Sequence, residues 1–290
     1  MQLKFKGMIH FIYNPNSGSK SNASKKQMLQ KLEKIENSQV HLTQYAGHAH
    51  DLALKAVQNG AQKVVAIGGD GTIHEIASAL IGTNTALGII PIGSGNGLAR
   101  HLGIHLSFSK ALQQVIQGNE ILIDVAFWNQ DAFFCTAGIG FDAEVAHQFA
   151  KGEKRGLINY IRSSFKSVLQ YQPIQILQKD ETREDVFSMT FANANQFGNN
   201  AFISPYSNLQ DGNFEVVKVE PLTIWESAQL GISLFLKNIC QHKKVSIQSY
   251  QRYDFSVPIG TLYHMDGENL QTKELHHTIK IIPKFLRVIL

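Results

Sequence analysis

Val64-Val65-Ala66-Ile67-Gly68-Gly69-Asp70-Gly71-Thr72-Ile73-His74-Glu75 is the stretch on which the fold turns. Four consecutive apolar residues that run into a pair of glycines suit a short strand covered on both faces. The glycines stand where that strand must bend sharply into a helix, so backbone N–H groups there can approach phosphate oxygens without a side chain in the way. Ile73, Ile76, Ala77, Leu80 and Ile81 then recur at helical spacing, and Thr72 with Glu75 spells a T-x-x-E capping box. Such a helix points its N-terminal partial positive charge at the turn, which favours an anion. Read alone, the string also fits an ordinary strand–turn–helix with Asp70 as a turn former.

Working outward, Ala86 to Ile90 is a second buried strand, and it runs into Pro91-Ile92-Gly93-Ser94-Gly95-Asn96-Gly97 before a helix-like stretch, Leu98 to Leu102. Met8 to Tyr13 is a third, leaving through Asn14-Pro15-Asn16-Ser17-Gly18-Ser19-Lys20. Amphipathic segments at Lys25 to Ile35 and Asp51 to Gln58 and a short strand at Val40 to Thr43 complete the alternation of strand and helix over the first ~125 residues. That grammar predicts a doubly wound α/β domain with a mostly parallel sheet, whose ligands bind at the C-terminal ends of its strands. Neither G-x-x-x-x-G-K-[ST] nor G-x-G-x-x-G occurs in these turns, which argues against P-loop and dinucleotide sites.

After Val125 the pattern changes. Ala132 to Cys135, Phe187 to Ala192, Phe214 to Val219, Val245 to Ile247 and Thr278 to Ile282 are strand-like runs separated by polar turns, with helices expected only at Leu157 to Tyr171 and Leu222 to Ile239. We expect two domains, 1–125 and 126–290, the second a mainly antiparallel, β-sandwich-like fold; the last residues, Phe285 to Leu290, are candidates to pack back on the first, but their place stays open at this point. Lys179 to Asp185 reads as a solvated hairpin loop.

Composition narrows the partners. Of 290 residues 43% are hydrophobic and 17% charged, and the formal net charge is +4. The excess lies wholly in Met1 to Val125, with 11 Lys+Arg against 7 Asp+Glu, which suits a nucleotide or an anionic membrane surface. A basic stripe with interleaved aromatics is missing, so nucleic acid is not expected. Apolar runs fall short of the ~20 residues of a membrane span, and Met1 to Gly7 lacks a cleavage site, so we expect a cytoplasmic chain. Cys135 and Cys240, set in apolar runs, read as reduced core residues; His48/His50 and His276/His277 are without the further ligands of a zinc site.

Almost end to end, the chain resembles the diacylglycerol kinase catalytic-domain family, which includes bacterial lipid kinases and sphingosine kinases. The resemblance covers NPNSG at Asn14 to Gly18, TQYAGHA at Thr43 to Ala49, GGDGTIHE at Gly68 to Glu75, PIGSGNGLAR at Pro91 to Arg100 and ILID at Ile121 to Asp124. It continues through AGIGFDAEV at Ala137 to Val145, SPYSNLQDGNFEVV at Ser204 to Val217 and MDGE at Met265 to Glu268. It implies an ATP-dependent, Mg2+-assisted kinase acting on a lipid hydroxyl, peripheral at the inner membrane surface.

The resemblance further implies that Asn14, Thr43, Gly68, Gly69, Asp70, Gly71, Thr72, Ser94 and Asn96 bind ATP, and that Asp70 and Asp124 hold the nucleotide's Mg2+. Glu268 would be the general base, with Asp70 beside it in the catalytic set. Asn208, Asp211 and Asn213 would hold a structural Mg2+. Taken singly, Asp124 could end a strand, Asp211 could start a turn and Glu268 could be a solvated turn residue, while Asp142 reads as a helix cap. Many bacterial members carry Asp after the asparagine of the second turn, where this chain has Gly97, closer to the sphingosine-kinase form. Lys151, Lys154 and Arg155 are candidates for contact with anionic headgroups, and a crevice between the domains is the natural entry for the lipid. An NAD kinase, which shares GGDGT, and a catalytically silent lipid or nucleotide sensor are the competing readings. Which lipid is phosphorylated, and the oligomeric state, stay open at this point.

Overall fold

Ile9–Tyr13 (β1), Lys63–Gly68 (β3) and Ala86–Pro91 (β4) are buried at every position, as strands without an alternating polar face must be, while Ser38–Leu42 (β2) is partly exposed. The computed structural model describes residues 8–18, 21–151, 171–178 and 180–290 and divides into two units: residues up to Ile123 with Lys284–Leu290, and Asp124–Pro283. In the first unit the parallel order is β2-β1-β3-β4. The chain steps from β1 out to β2, then crosses back to lay β3 on the other side of β1. The topological switch point of this doubly wound sheet therefore lies between β1 and β3. Asn22–Leu32 (α1), His48–Gln58 (α2), Asp70–Leu80 (α3), Gly97–His101 (α4) and Phe108–Gln117 (α5) connect the strands.

One local expectation gives way. α3 opens at Asp70 behind Gly69, which supplies no side-chain cap, so the Thr72–Glu75 capping box does not form. Thr72 is instead buried within the first turn, where its Oγ1 accepts from Asn14 Nδ2 at 3.1 Å. The Glu75 carboxylate reaches across to the Gly47 and Ala49 N–H groups, each 3.0 Å away. Helices α1 and α2 likewise begin three residues earlier than the apolar periodicity alone suggests, α1 because Ser21 caps it by accepting from the Ser24 N–H.

In the second unit Thr136–Gly140 (β7), Ser188–Ala192 (β10), Phe214–Val219 (β11), Val245–Tyr250 (β12), Leu262–Met265 (β14) and Glu268–Gln271 (β15) form an antiparallel sheet ordered β12-β11-β10-β7-β14-β15. Arg252–Ser256 (β13) runs antiparallel to the start of His276–Ile289 (β16) and to Ile174–Gln178 (β8), which pairs with Arg183–Val186 (β9); Glu120–Trp128 (β5) pairs with Asp131–Phe133 (β6). One core cluster joins Phe191 and Phe214 of the first set to Trp128, Phe255 and Ile279 of the second, with Trp128 edge-on to both Phe191 and Phe255 at 5.5 Å. Each such fully buried side chain is worth about 1.5–3 kcal/mol. The sequence pattern of a sandwich-like second half thus has its physical counterpart here.

Among the described residues this unit has two α-helices, Phe141–Lys151 (α6) and Ile224–Leu236 (α7). α7 is shorter than its apolar run because Thr223 and Glu226 make a reciprocal capping box at one end and Lys237, at φ +58°, turns the chain out at the other. Cys135 is buried but Cys240 is exposed, because the turn beyond α7 buries Ile239 in its place. The expected Leu157 to Tyr171 helix, apart from Tyr171 itself, lies outside the described residues, as do Lys154, Arg155 and the Lys151 side chain.

Candidate active site

At the switch point the exits of β1 and β3 are stitched together. The Asn14 N–H donates to the Ile67 carbonyl at 3.0 Å, and its side chain both bonds Thr72 and accepts from the Asn16 N–H at 2.9 Å, an Asx turn. Gly18, at φ +71°, closes that loop where a Cβ would fall 2.2 Å from the Ile92 carbonyl oxygen. The loop after β1 can therefore lie against the loop after β4 only as glycine.

The β3 and β4 turns are joined more tightly still. The Ile92 N–H donates to the Gly68 carbonyl at 2.9 Å, and a Cβ on Gly93 would sit 2.5 Å from the Gly69 Cα. Asp70 accepts the Asn96 N–H on Oδ2 and the Gly97 N–H on Oδ1, both at 2.8 Å. Asn96 itself takes φ +53° and donates from Nδ2 to the Gly93 carbonyl. The two turns thus frame the N-terminus of α3, where Gly69 supplies no side-chain cap, and the first N–H groups of the helix form an amide cradle of a kind suited to an anion. Thr43 is buried beside the β1 exit, its N–H bonded to the Tyr13 carbonyl, and Ser94 is exposed at the crest of the second turn. A cavity of about 490 Å3 at the opposite, N-terminal ends of β3 and β4, lined by residues such as Thr83, Thr85 and Glu120, offers no such cradle.

The second unit gathers another set. Asp124 is fully buried and accepts the Gly212 N–H on Oδ2 at 2.7 Å, while its own N–H donates to the Leu209 carbonyl. The DGN loop is preformed: Asp211 accepts from the Asn213 N–H at 2.9 Å, and Asn208 from the Gln210 N–H at 3.1 Å. Its oxygens, a carboxylate and backbone carbonyls, are the donors a hard cation takes. Among the described residues no three His, Cys, Asp or Glu side chains cluster as a metal site. A cation held there by one or two carboxylates would complete its shell with backbone carbonyls, water or phosphate.

Glu268 opens β15 with its side chain exposed, directly after the Asp266-Gly267 turn. Asp266 is the residue the sequence reading passed over. It accepts the N–H groups of Phe134, Cys135 and Thr136 at 2.9, 2.7 and 3.2 Å, so it fixes the turn that carries Glu268. An Asp-Gly hairpin dipeptide was the available signal. Asp142 does more than sit at the start of α6: its Oδ2 accepts from Thr190 Oγ1 at 2.6 Å and lies 3.3 Å from Nε2 of the buried His264. Beside it the Tyr171 hydroxyl is pushed well above its ordinary pKa by burial, with the negative charges of Asp142 and Glu144 adding to the shift.

This fold and these turns define a class, the two-domain kinases built around a GGDGT turn. Residues 8–128 match the diacylglycerol kinase catalytic domain, and residues 135–290 match the YegS C-terminal NAD kinase beta sandwich-like domain. The chain belongs to the lipid kinase family in which those two domains follow one another. It is 28% identical over 260 residues to a probable lipid kinase YegS-like of Citrobacter koseri, covering 86% of this chain and 84% of that one, and 29% identical with the same coverage to a probable lipid kinase YegS of Escherichia fergusonii. The crystal structure of a diacylglycerol kinase from Bacillus anthracis superposes with a TM-score of 0.74 at 17% identity, over 99% of this chain and 98% of that one. No helix among the described residues is long and apolar enough to cross a membrane.

Proposed function

We propose that the protein transfers the γ-phosphate of ATP to a hydroxyl of a membrane lipid, with diacylglycerol, sphingoid and related lipids as the acceptor class. The observation that carries this is the amide cradle formed where Asp70 ties the GGDGT turn to the Gly93–Gly97 turn. The functional division runs near residue 125. Residues 1–125 bind ATP through Asn14, Thr43, Gly68 to Thr72, Ser94 and Asn96, and residues 126–290 supply the lipid site and the base.

Glu268 takes the proton of the acceptor hydroxyl as its oxygen attacks the γ-phosphorus and the bond to the β-phosphate oxygen breaks, releasing ADP. Asp70 and Asp124 would hold Mg2+, which when bound would supply charge neutralisation at the phosphate oxygens. Asp70 already accepts two amides, so a cation would meet its remaining lone pairs or its water shell, which Mg2+ tolerates. The oxygen-only loop of Asn208, Asp211 and Asn213 suits a second, structural Mg2+. The protein works at the inner surface of the cytoplasmic membrane, as a peripheral enzyme.

Labelled ATP with Mg2+, offered a panel of hydroxyl lipids in mixed micelles with NAD alongside, tests the reading. Label passing to one lipid class is the expected result. Label on NAD alone would replace it with an NAD kinase, and ATP binding without transfer would leave a silent sensor.

A further inference from the structure

Helix α7 is amphipathic with its faces the wrong way round for a helix that meets only water. Leu230 and Ser233 are buried, Leu234 packs on the cluster of Phe187, Ile203, Val217 and Ile239, and the Leu234 carbonyl accepts from the Phe202 N–H at 2.9 Å. That side is fixed. The outward side carries Trp225, Gln229, Ile232 and Leu236 at i, i+4, i+7 and i+11, with Trp225 82% exposed, Ile232 61% and Leu236 65%. Ile224 and Phe235 flank the stripe and are also exposed, and a side chain at Gly231 would meet open space. Large apolar side chains massed on one exposed helix face mark a surface that something covers.

Charge says what kind of surface covers it. The single charged residue within α7, Glu226, is taken up by Thr223 and by Lys244 at 3.1 Å, and those bonds hold its carboxyl down to about 2. From Ser227 to Tyr253 the sequence has no Asp or Glu, while Lys237 and Lys243 stand exposed just past the helix. Lys237 lies over the Phe202 ring, 4.1 Å from its centroid, at the end of the helix that carries Leu236. A second copy of the chain docked on this face by a two-fold axis would bring like cations together. An anionic lipid surface complements them, and a Trp at one end of an apolar stripe with lysines beyond the other suits the headgroup boundary.

We propose that the outward face of α7 docks the protein onto an anionic lipid monolayer, Trp225, Ile232 and Leu236 entering the acyl boundary and Lys237 and Lys243 meeting lipid phosphates. The proposal deepens the lipid-kinase reading and rests on it for its biological sense, but it is tested apart from catalysis.

Trp128 is buried, so the fluorescence of Trp225 reports the face directly. The full chain is mixed with vesicles of phosphatidylcholine alone or with added phosphatidylserine, some carrying brominated acyl chains, and compared with an Ile232→Lys/Leu236→Lys variant and with Lys237→Glu/Lys243→Glu. The expected result is a blue shift and bromine quenching of Trp225, and vesicle partitioning that falls at least about tenfold in the first variant. The second should lose binding only to vesicles with phosphatidylserine. Transfer to a lipid dispersed in micelles should stay within about twofold in both, since neither touches the amide cradle. Unchanged vesicle binding by Ile232→Lys/Leu236→Lys overturns the proposal, as does a parent dimer that this variant disperses while vesicle binding persists. If neither protein phosphorylates any lipid, yet only the variant loses vesicle binding, the docking face stands and the kinase reading falls.

Discussion

At the scale of the residue, Asp70 is the hinge between chemistry and architecture. Both its oxygens are engaged by the second turn, so Asp70→Asn sets an amide NH2 against a backbone N–H. Leaving one buried donor unpaired costs about 1–3 kcal/mol, and we expect that loss in thermal stability together with weaker ATP binding, read by melting curves and titration calorimetry. A second residue-scale prediction concerns His10 and His41, whose Nδ1 and Nε2 lie 3.0 Å apart with the rings stacked. Burial lowers both pKa values, and for His10 the neighbouring His41 adds to the shift. The unfolded chain then binds more protons than the folded one below about pH 6.5, so the stability is complete above that pH and drains as the pH falls toward the folded values. His41→Gln, which keeps a hydrogen-bonding group and removes one titration, should flatten the fall in melting temperature between about pH 7 and about pH 5. The glycines of the two turns were legible because no other residue fits such spacing between strand and helix. Thr72 was misread as a cap because the capping box is a local rule, and a partner 58 positions away, Asn14, claims its hydroxyl.

At the scale of the element, the β14–β15 hairpin is set by two residues in the left-handed region, Asp266 at φ +48° and Gly267 at φ +87°. Asp266→Ala would strip the acceptor from three amides, and we expect it to lower stability by about 3 kcal/mol and activity with it, whereas Glu268→Gln should leave the melting temperature unchanged, as an exposed side chain allows. For α7, Thr223→Ala should cost about 1 kcal/mol, the usual effect of losing an N-cap, measurable by denaturant titration. Strands and helices of the first unit could be read from their apolar runs, since buried parallel strands announce themselves. The purpose of α7 could not, because the same apolar residues that predict a helix do not say which of its faces is covered.

At the scale of the whole molecule, the chain passes from the first unit into the second at Ile123 and returns at Lys284. The returning residues complete the parallel sheet: Val288 pairs with Leu87, Asn119 and Leu290 exchange two backbone hydrogen bonds of 2.9 Å, and Gly82 donates to the Phe285 carbonyl. Leu286, Val288 and Ile289 are buried there, so a chain cut after Pro283 should lose several kcal/mol, at about 1.5–3 for each buried side chain, and melt its first unit well below the intact protein. Little within those last seven residues identifies their partner strand, since the pairing of Val288 with Leu87 joins positions about two hundred apart, and that is why their placement stayed open in the sequence. Whether the amide cradle binds ATP for transfer to a lipid with Glu268 as base is decided by single-turnover transfer of the γ-phosphate under saturating ATP and Mg2+ for the wild type and Glu268→Gln, with ATP affinity measured alongside. Glu268→Gln should keep its ATP affinity while the rate falls by about 10²–10⁴; a variant that transfers phosphate as fast as the wild type would rule out Glu268 as the base.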